Sequence, residues 1–146
     1  MTIEFFYTTL QQYQLAVLAT LSSGNQPHAA LIGFAVTPEL EIVFDTLKTS
    51  RKYLNLLASP RVALVIGWEN EITIQYEGEA CELVGAGNNS YKETYYSAFP
   101  EGRQRAANSP ELTYFIIRPV WVRYSNFNEP SRIEEMAFDE RSSGLR

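Results

Sequence analysis

The 146-residue chain has a single cysteine, Cys81, so no disulfide can form within it. It has a single histidine, His28, and counting alone excludes a zinc site built from cysteine and histidine. Cations are in deficit: 12 Lys and Arg stand against 17 Asp and Glu, a net charge of −5. Nucleic acids and anionic membranes are met with a basic stripe, so both are argued against as partners. Any basic cluster must be local and suited to something small. Long apolar runs are missing too. The longest, "LAVLA" and "VALVIGW", fall far short of the roughly 20 residues of a membrane-spanning helix. The first residues carry Glu4 and no Lys or Arg, unlike a signal peptide. The expectation is a cytoplasmic protein without a metal site.

What is present is the composition of one globular domain spanning 1–146. Hydrophobic residues make up 45% and charged residues 20%, enough for a packed core without a covalent staple. "IEFFYTTLQQY" has Phe6, Leu10 and Tyr13 at helical spacing behind a capping Thr2. "LAVLATL", "SSGNQ" and "ALIGFAV" read as a hairpin whose first strand is apolar on both faces. "EIVFDT", "RVALVIGW", "ITIQYEGEACELV" and "LTYFIIRPVWVRYSNF" are further strands, the last broken at Pro119. Gly78 interrupts its strand, which predicts a bulge or the close approach of another backbone. "SRKYLNLLA" is a helix with Tyr53, Leu54, Leu57 and Ala58 on one face. "NNSYKETYYSAFP" is another, opened by a Ser90–Glu93 capping box, with Tyr91, Tyr95 and Ala98 sharing a face. "EGRQRAANSPE" reads as a polar loop, with Arg103 and Arg105 either mobile or a lid. Residues 128–146 read as a strap or a disordered tail. Hairpin links make the sheet antiparallel, and the fold class is mainly β (α+β), a barrel with flanking short helices.

One segment stands out chemically. In "FDTLKTSRKYLNLL", Ser50 caps a helix whose first residues are Arg51 and Lys52. Acidic side chains are favoured at a helix start, where the macrodipole is positive. A cation-led start makes sense if an anion binds there, because free N–H groups, a guanidinium fork and an ammonium all suit a phosphate. Thr46 and Thr49 add hydroxyls. The glycines of a Walker loop are missing. Taken alone, the segment leaves two readings open, a phosphate site or a solvated basic pair.

The surrounding order resembles the pyridoxamine 5'-phosphate oxidase-like family of FMN-binding split β-barrels. The carriers are Asn25-Gln26-Pro27 at the hairpin turn, Phe44-Asp45-Thr46 at a strand end, Ser50-Arg51-Lys52, and Ser59-Pro60-Arg61-Val62. "QYEGEACEL" and "IIRPVWVRYS" support it, so the likeness runs from about Leu15 to Ser125. It implies an antiparallel split β-barrel and FMN as cofactor. It also implies that Asp45, Thr46, Ser50, Arg51 and Lys52 lie at the FMN phosphate. Ala30, Leu31, Ile32 and Gly33 would lie along the isoalloxazine, Thr73 near the ring, and Trp121 and Arg123 in the pocket of the partner subunit. A homodimer with flavin at the interface follows, and 13% aromatic residues agree with a large interface.

Two departures shape the functional expectation. The oxidase proper has an Arg and a Lys on the hairpin strand where this chain has Ala30 and Ala35, and an Arg-x-His element near the C-terminus. This chain has no histidine after His28, and Arg132, Arg141 and Arg146 sit in an aperiodic tail. The expectation is an FMN-dependent oxidoreductase of a small-molecule substrate, but not a true pyridoxamine-phosphate oxidase. The alternatives are a flavin-binding protein without turnover, or a haem- or deazaflavin-binding protein on the same barrel. No catalytic acid or base stands out. His28 reads as a solvent-facing turn histidine, Cys81 as structural, and Glu77 and Glu79 as a solvated strand face.

Overall fold

The computed structural model describes residues 2–85 and 87–138. The elements run α1 (Ile3–Leu10), β1 (Leu15–Leu21), β2 (Pro27–Gly33), β3 (Ala35–Val36), β4 (Ile42–Leu47), α2 (Arg51–Ala58), β5 (Arg61–Ile66), β6 (Ile72–Glu82), α3 (Asn89–Ala98), α4 (Gly102–Asn108), β7 (Leu112–Asn126) and β8 (Arg132–Ala137). One sheet has the order β2-β1-β5-β6-β7-β4-β3, with β8 beside β7, and every pairing is antiparallel. The sheet curls into a half-barrel flanked by four short helices, the α+β split β-barrel expected from the sequence. No helix among the described residues is long and apolar enough to cross a membrane.

Alternation decides what lies inside. Ala16, Leu18, Phe44, Ile74, Tyr76 and Val122 point into the barrel and are buried. Phe6 and Leu10 of α1 and Leu56 of α2 join the same core. An eight-residue helix such as α1 is not stable in isolation. Burying Phe6 and Leu10 completely contributes roughly 1.5–3 kcal/mol each and fixes it. On the other side of β4 and β7 a smaller cluster forms from Ala35, Val43, Tyr95, Tyr114 and Ile116, under α3.

Gly78 shows both features its position predicted. The β6–β7 register shifts between Glu77 and Gly78, and Pro119, which has no N–H to pair, lies opposite the bulge. A Cβ at Gly78 would meet the Arg118 carbonyl oxygen and lie 2.7 Å from Ile117 Cγ2. β7 therefore runs through Pro119 as one strand instead of breaking there.

Other expectations are corrected. β1 is buried on one face only; Leu15 on the other is 45% exposed. In α2, Asn55 and Leu56 turn inward while Leu54 and Leu57 face out, because the helix docks through a polar contact described below. The Ser90–Glu93 capping box does not form: α3 begins at Asn89 behind Asn88, and Glu93 pairs instead with Arg103. The polar loop contains α4, held by tertiary contacts that leave no apolar stripe in its sequence. Gly102 seats against the Tyr96 ring, and Arg103 lies 4.8 Å from that ring's centre. The tail contributes β8, paired along the second half of β7, with Arg132 stacked 4.5 Å over Phe5. Arg141 and Arg146 lie outside the described residues.

Candidate functional site

The corner between β4 and α2 is built from hydroxyls and cations. β4 directs Phe44 and Thr46 to the barrel side and Asp45 to the other. Ser50 Oγ caps α2 by accepting the Tyr53 N–H at 3.2 Å, and lies 2.9 Å from Thr46 Oγ1. Two hydroxyls that share one hydrogen bond use one of their two hydrogens in it, so one is left for an outside acceptor. Behind them, Glu82 is occupied. It accepts from Tyr53 Oη at 3.2 Å and from Thr113 Oγ1 at 2.5 Å. Burial, then the Glu82 charge, holds the Tyr53 hydroxyl above its ordinary pKa, so it stays a donor to that carboxylate.

Arg51 is exposed and Lys52 half-buried. Among the described residues neither is in an ion pair, whereas Arg103, Arg105, Arg118 and Arg132 each have an acidic partner. Two unneutralised cations, the unpaired N–H groups of a helix start and a spare hydroxyl hydrogen form a donor set that fits a phosphate.

One turn further along α2, Asn55 is 4% exposed and joins the helix to the hairpin. Its Nδ2 lies 3.0 Å from Thr20 Oγ1 on β1 and 2.8 Å from His28 Nδ1 on β2. His28 is therefore half-buried and hydrogen-bonded, not a solvent-facing turn residue. The hairpin turn itself uses Asn25 at φ +62°, a conformation asparagine tolerates better than most residues. β2 is an end strand of the sheet, bonded along one edge to β1. Ala30 and Ile32 face the barrel, opposite Leu18 and Ala16, while Leu31 is 59% exposed on the outside. Gly33 is required by packing, since a Cβ there would lie 2.9 Å from the Phe99 ring.

On the outer face, Thr73 stands opposite Ser125, Gln75 opposite Arg123 and Glu77 opposite Trp121. Residues 113 and 125, near the two ends of β7, are separated by about 40 Å of strand at roughly 3.3 Å per residue. Thr73 and Arg123 thus lie toward the end of the β6–β7 pair away from the α2 corner, with Trp121 nearer its middle. The same face carries exposed Leu15, Leu31 and Val65 on neighbouring strands. Glu77 and Glu79 line an open groove of about 690 Å³ there, with Arg61 across from them.

The family model described as pyridoxamine 5'-phosphate oxidase matches residues 4–126. The chain belongs to the pyridoxamine 5'-phosphate oxidase family. Solved structures share its fold at low identity. A haem-binding protein of Mycobacterium smegmatis superposes with a TM-score of 0.77 at 15% identity, over 94% of this chain and 58% of its own. HutZ, the haem storage protein of Vibrio cholerae, gives 0.67 at 16% identity, over 82% of this chain and 91% of its own. General Stress Protein 26 of Bacillus anthracis gives 0.66 at 21% identity, over 94% of this chain and 100% of its own. No curated protein sequence matches the chain.

Against the pattern expected of this family, the structure gathers Thr46, Ser50, Arg51 and Lys52 at one corner. Asp45 does not join them. It points to the opposite side of β4, where Arg105 Nη2 lies 3.4 Å from its carboxylate. Sequence reading missed Asn55 and Glu82. Asn55 had a signal, a polar residue four positions after Arg51 on a helix otherwise rich in leucine. Glu82 had none, because its partners come from α2 and β7. Among the described residues no three His, Cys, Asp or Glu side chains gather as a metal site, and Cys81 is exposed on β6.

Proposed function

We propose that the chain is an FMN-binding flavoprotein of the oxidoreductase class, working in the cytoplasm as a homodimer with the flavin between subunits. The observation that carries the reading is the pair Arg51 and Lys52, which lead α2 without an acidic partner among the described residues. The pyridoxamine 5'-phosphate oxidase-like family is one in which flavin binding is common, and this supports the choice of anion.

In this reading the FMN phosphate is held by Arg51, Lys52, the α2 N–H groups and the Thr46–Ser50 hydroxyl pair, with β2 lending its free edge to the ring. Thr73, Trp121 and Arg123 reach the ring from the other subunit, which accounts for their distance from the corner in one chain. Leu15, Leu31 and Val65 then have a surface to cover them. Bound FMN supplies the redox chemistry, while the chain binds, orients and shields it. The substrate is small and weakly charged. A buried substrate phosphate without cations costs several kcal/mol, and positions 30 and 35 hold alanine, which offers no charge to meet one. Activity as pyridoxamine-phosphate oxidase is therefore not proposed.

Haem binding is the second reading. It is favoured by the likeness in fold to the Mycobacterium smegmatis and Vibrio cholerae proteins. His28 is then the one available imidazole, and its Nδ1 is already engaged by Asn55. The visible spectrum of the purified protein separates the readings: flavin bands support the first, a Soret band the second. Anaerobic mixing of the FMN-loaded protein with NADH or NADPH then tests turnover. Bleaching of the flavin colour is expected; its persistence with both donors leaves a flavin binder without turnover.

A further inference from the structure

We propose, resting on the FMN reading above, that His28 is a further phosphate-binding residue, donating from Nε2 to the anion attracted by Arg51 and Lys52. The imidazole has a defined partner on one side only. Asn55 Nδ2 lies 2.8 Å from His28 Nδ1 and 3.0 Å from Thr20 Oγ1. An amide NH2 has two hydrogens, so with the amide in this orientation one serves each neighbour and Nδ1 is an acceptor. The ring proton then sits on Nε2. Among the described residues Nε2 has no hydrogen-bond partner, although the ring is half-buried.

The place of the unused donor is limited by the fold. His28 and Ala30 share the barrel side of β2, opposite Thr20 and Leu18, and this is the side on which α2 docks. Asn55 follows Arg51 by four residues, about one helical turn or 5.4 Å. The imidazole is therefore anchored one turn from the cation pair, on the side of the barrel on which α2 docks. A neutral donor adds a hydrogen bond to a phosphate that already meets two cations, without a third charge to desolvate. The same arrangement explains a buried asparagine on a leucine-rich helix: Asn55 is a positioning residue that fixes the tautomer of His28.

The test compares FMN and riboflavin binding by the wild type, His28→Asn and His28→Gln, followed by flavin fluorescence. Asparagine keeps a polar group near Nδ1 and removes the one at Nε2; glutamine does the reverse. One charge-assisted hydrogen bond corresponds to about a tenfold change in affinity or more. His28→Asn is therefore expected to lose that much FMN affinity and none of its riboflavin affinity, while His28→Gln stays near wild type for both. The reverse order, or two variants that both match wild type for FMN, overturns the role of His28 and leaves the FMN reading intact. Equal affinity of the wild type for FMN and riboflavin overturns the FMN reading, and the role of His28 with it. Nitrogen-15 NMR of the wild-type imidazole gives an answer even if a variant fails to fold. The Nε2–H tautomer, with an Nε2 resonance that moves on adding FMN, is expected; an Nδ1–H tautomer or an unmoved resonance contradicts the proposal.

Discussion

Two corners of this half-barrel are rich in cations, and they treat those cations in opposite ways. At the α3–α4 corner each one is consumed internally. Arg103 pairs with Glu93 and lies over Tyr96, Arg105 pairs with Asp45, and Lys92 sits 5.3 Å above the Tyr114 ring. At the α2 corner, Arg51 and Lys52 have no acidic partner among the described residues, and the nearby carboxylate of Glu82 is occupied by two neutral hydroxyls. The first corner is a structural device that closes a small tyrosine cluster. The second holds uncompensated positive charge at the positive end of a helix, which an external anion would relieve.

The largest expected effect comes from removing the cations at each corner. Losing two charge-assisted bonds, Arg51→Ala/Lys52→Ala should weaken FMN binding by about a hundredfold or more with little change in melting temperature. Arg103→Ala/Arg105→Ala should lower the melting temperature and leave FMN affinity alone. Fluorescence titration and thermal melts on both double variants check the contrast, and a loss of FMN affinity in the second would erase it.

Asn55→Ala is the next test. It leaves His28 Nδ1 and Thr20 Oγ1 without their donor inside the fold, so about 1–3 kcal/mol of stability should be lost, read by urea unfolding. A neutral outcome would mean that α2 is not docked through this contact.

Alkaline pH should test the tyrosine cluster at the α3–α4 corner. Burial is the main cause, with Asp45 adding to it at Tyr95 and Tyr96 at Tyr114, that holds the hydroxyls of Tyr95 and Tyr114 well above their ordinary value. A pKa raised on folding stabilises fully below the unfolded value, about 10, and that contribution is lost as pH rises toward the folded values. Apoprotein stability should therefore decline above about pH 10. Tyr114→Phe should flatten that decline, and an unchanged pH profile in the variant would remove the tyrosine cluster as its origin. The smallest effect is Arg105→Ala alone, a partly exposed pair expected to cost about 1 kcal/mol or less, with unfolding midpoints as the measure.

The contrast between the corners also shows what a sequence discloses. Ser50, Arg51 and Lys52 were legible because capping and charge act within four residues, and the Gly78 bulge because a glycine interrupts an alternating strand. The use of Arg105 and Asp45 was not, because their pairing joins residues 60 apart in the chain and depends on α4, whose sequence lacks an apolar stripe. Asp45 was drawn to the phosphate corner by its neighbour Thr46, yet strand alternation sends the two to opposite sides. His28 was misread for a similar reason: its position at a turn suggests solvent, and only the docking of α2 brings Asn55 against it. Leu54 and Leu57 suggested the buried face of α2, but a polar contact sets that helix's orientation.

The most direct measurement for the α2 corner is the ratio of FMN to riboflavin affinity in the wild-type protein. The two ligands share the ring and differ in the phosphate. If Arg51, Lys52 and the helix start hold that phosphate, FMN should bind about a hundredfold more tightly or better, as two charge-assisted bonds imply, and added salt should narrow the gap. Equal affinities, insensitive to salt, would contradict the assignment of the corner.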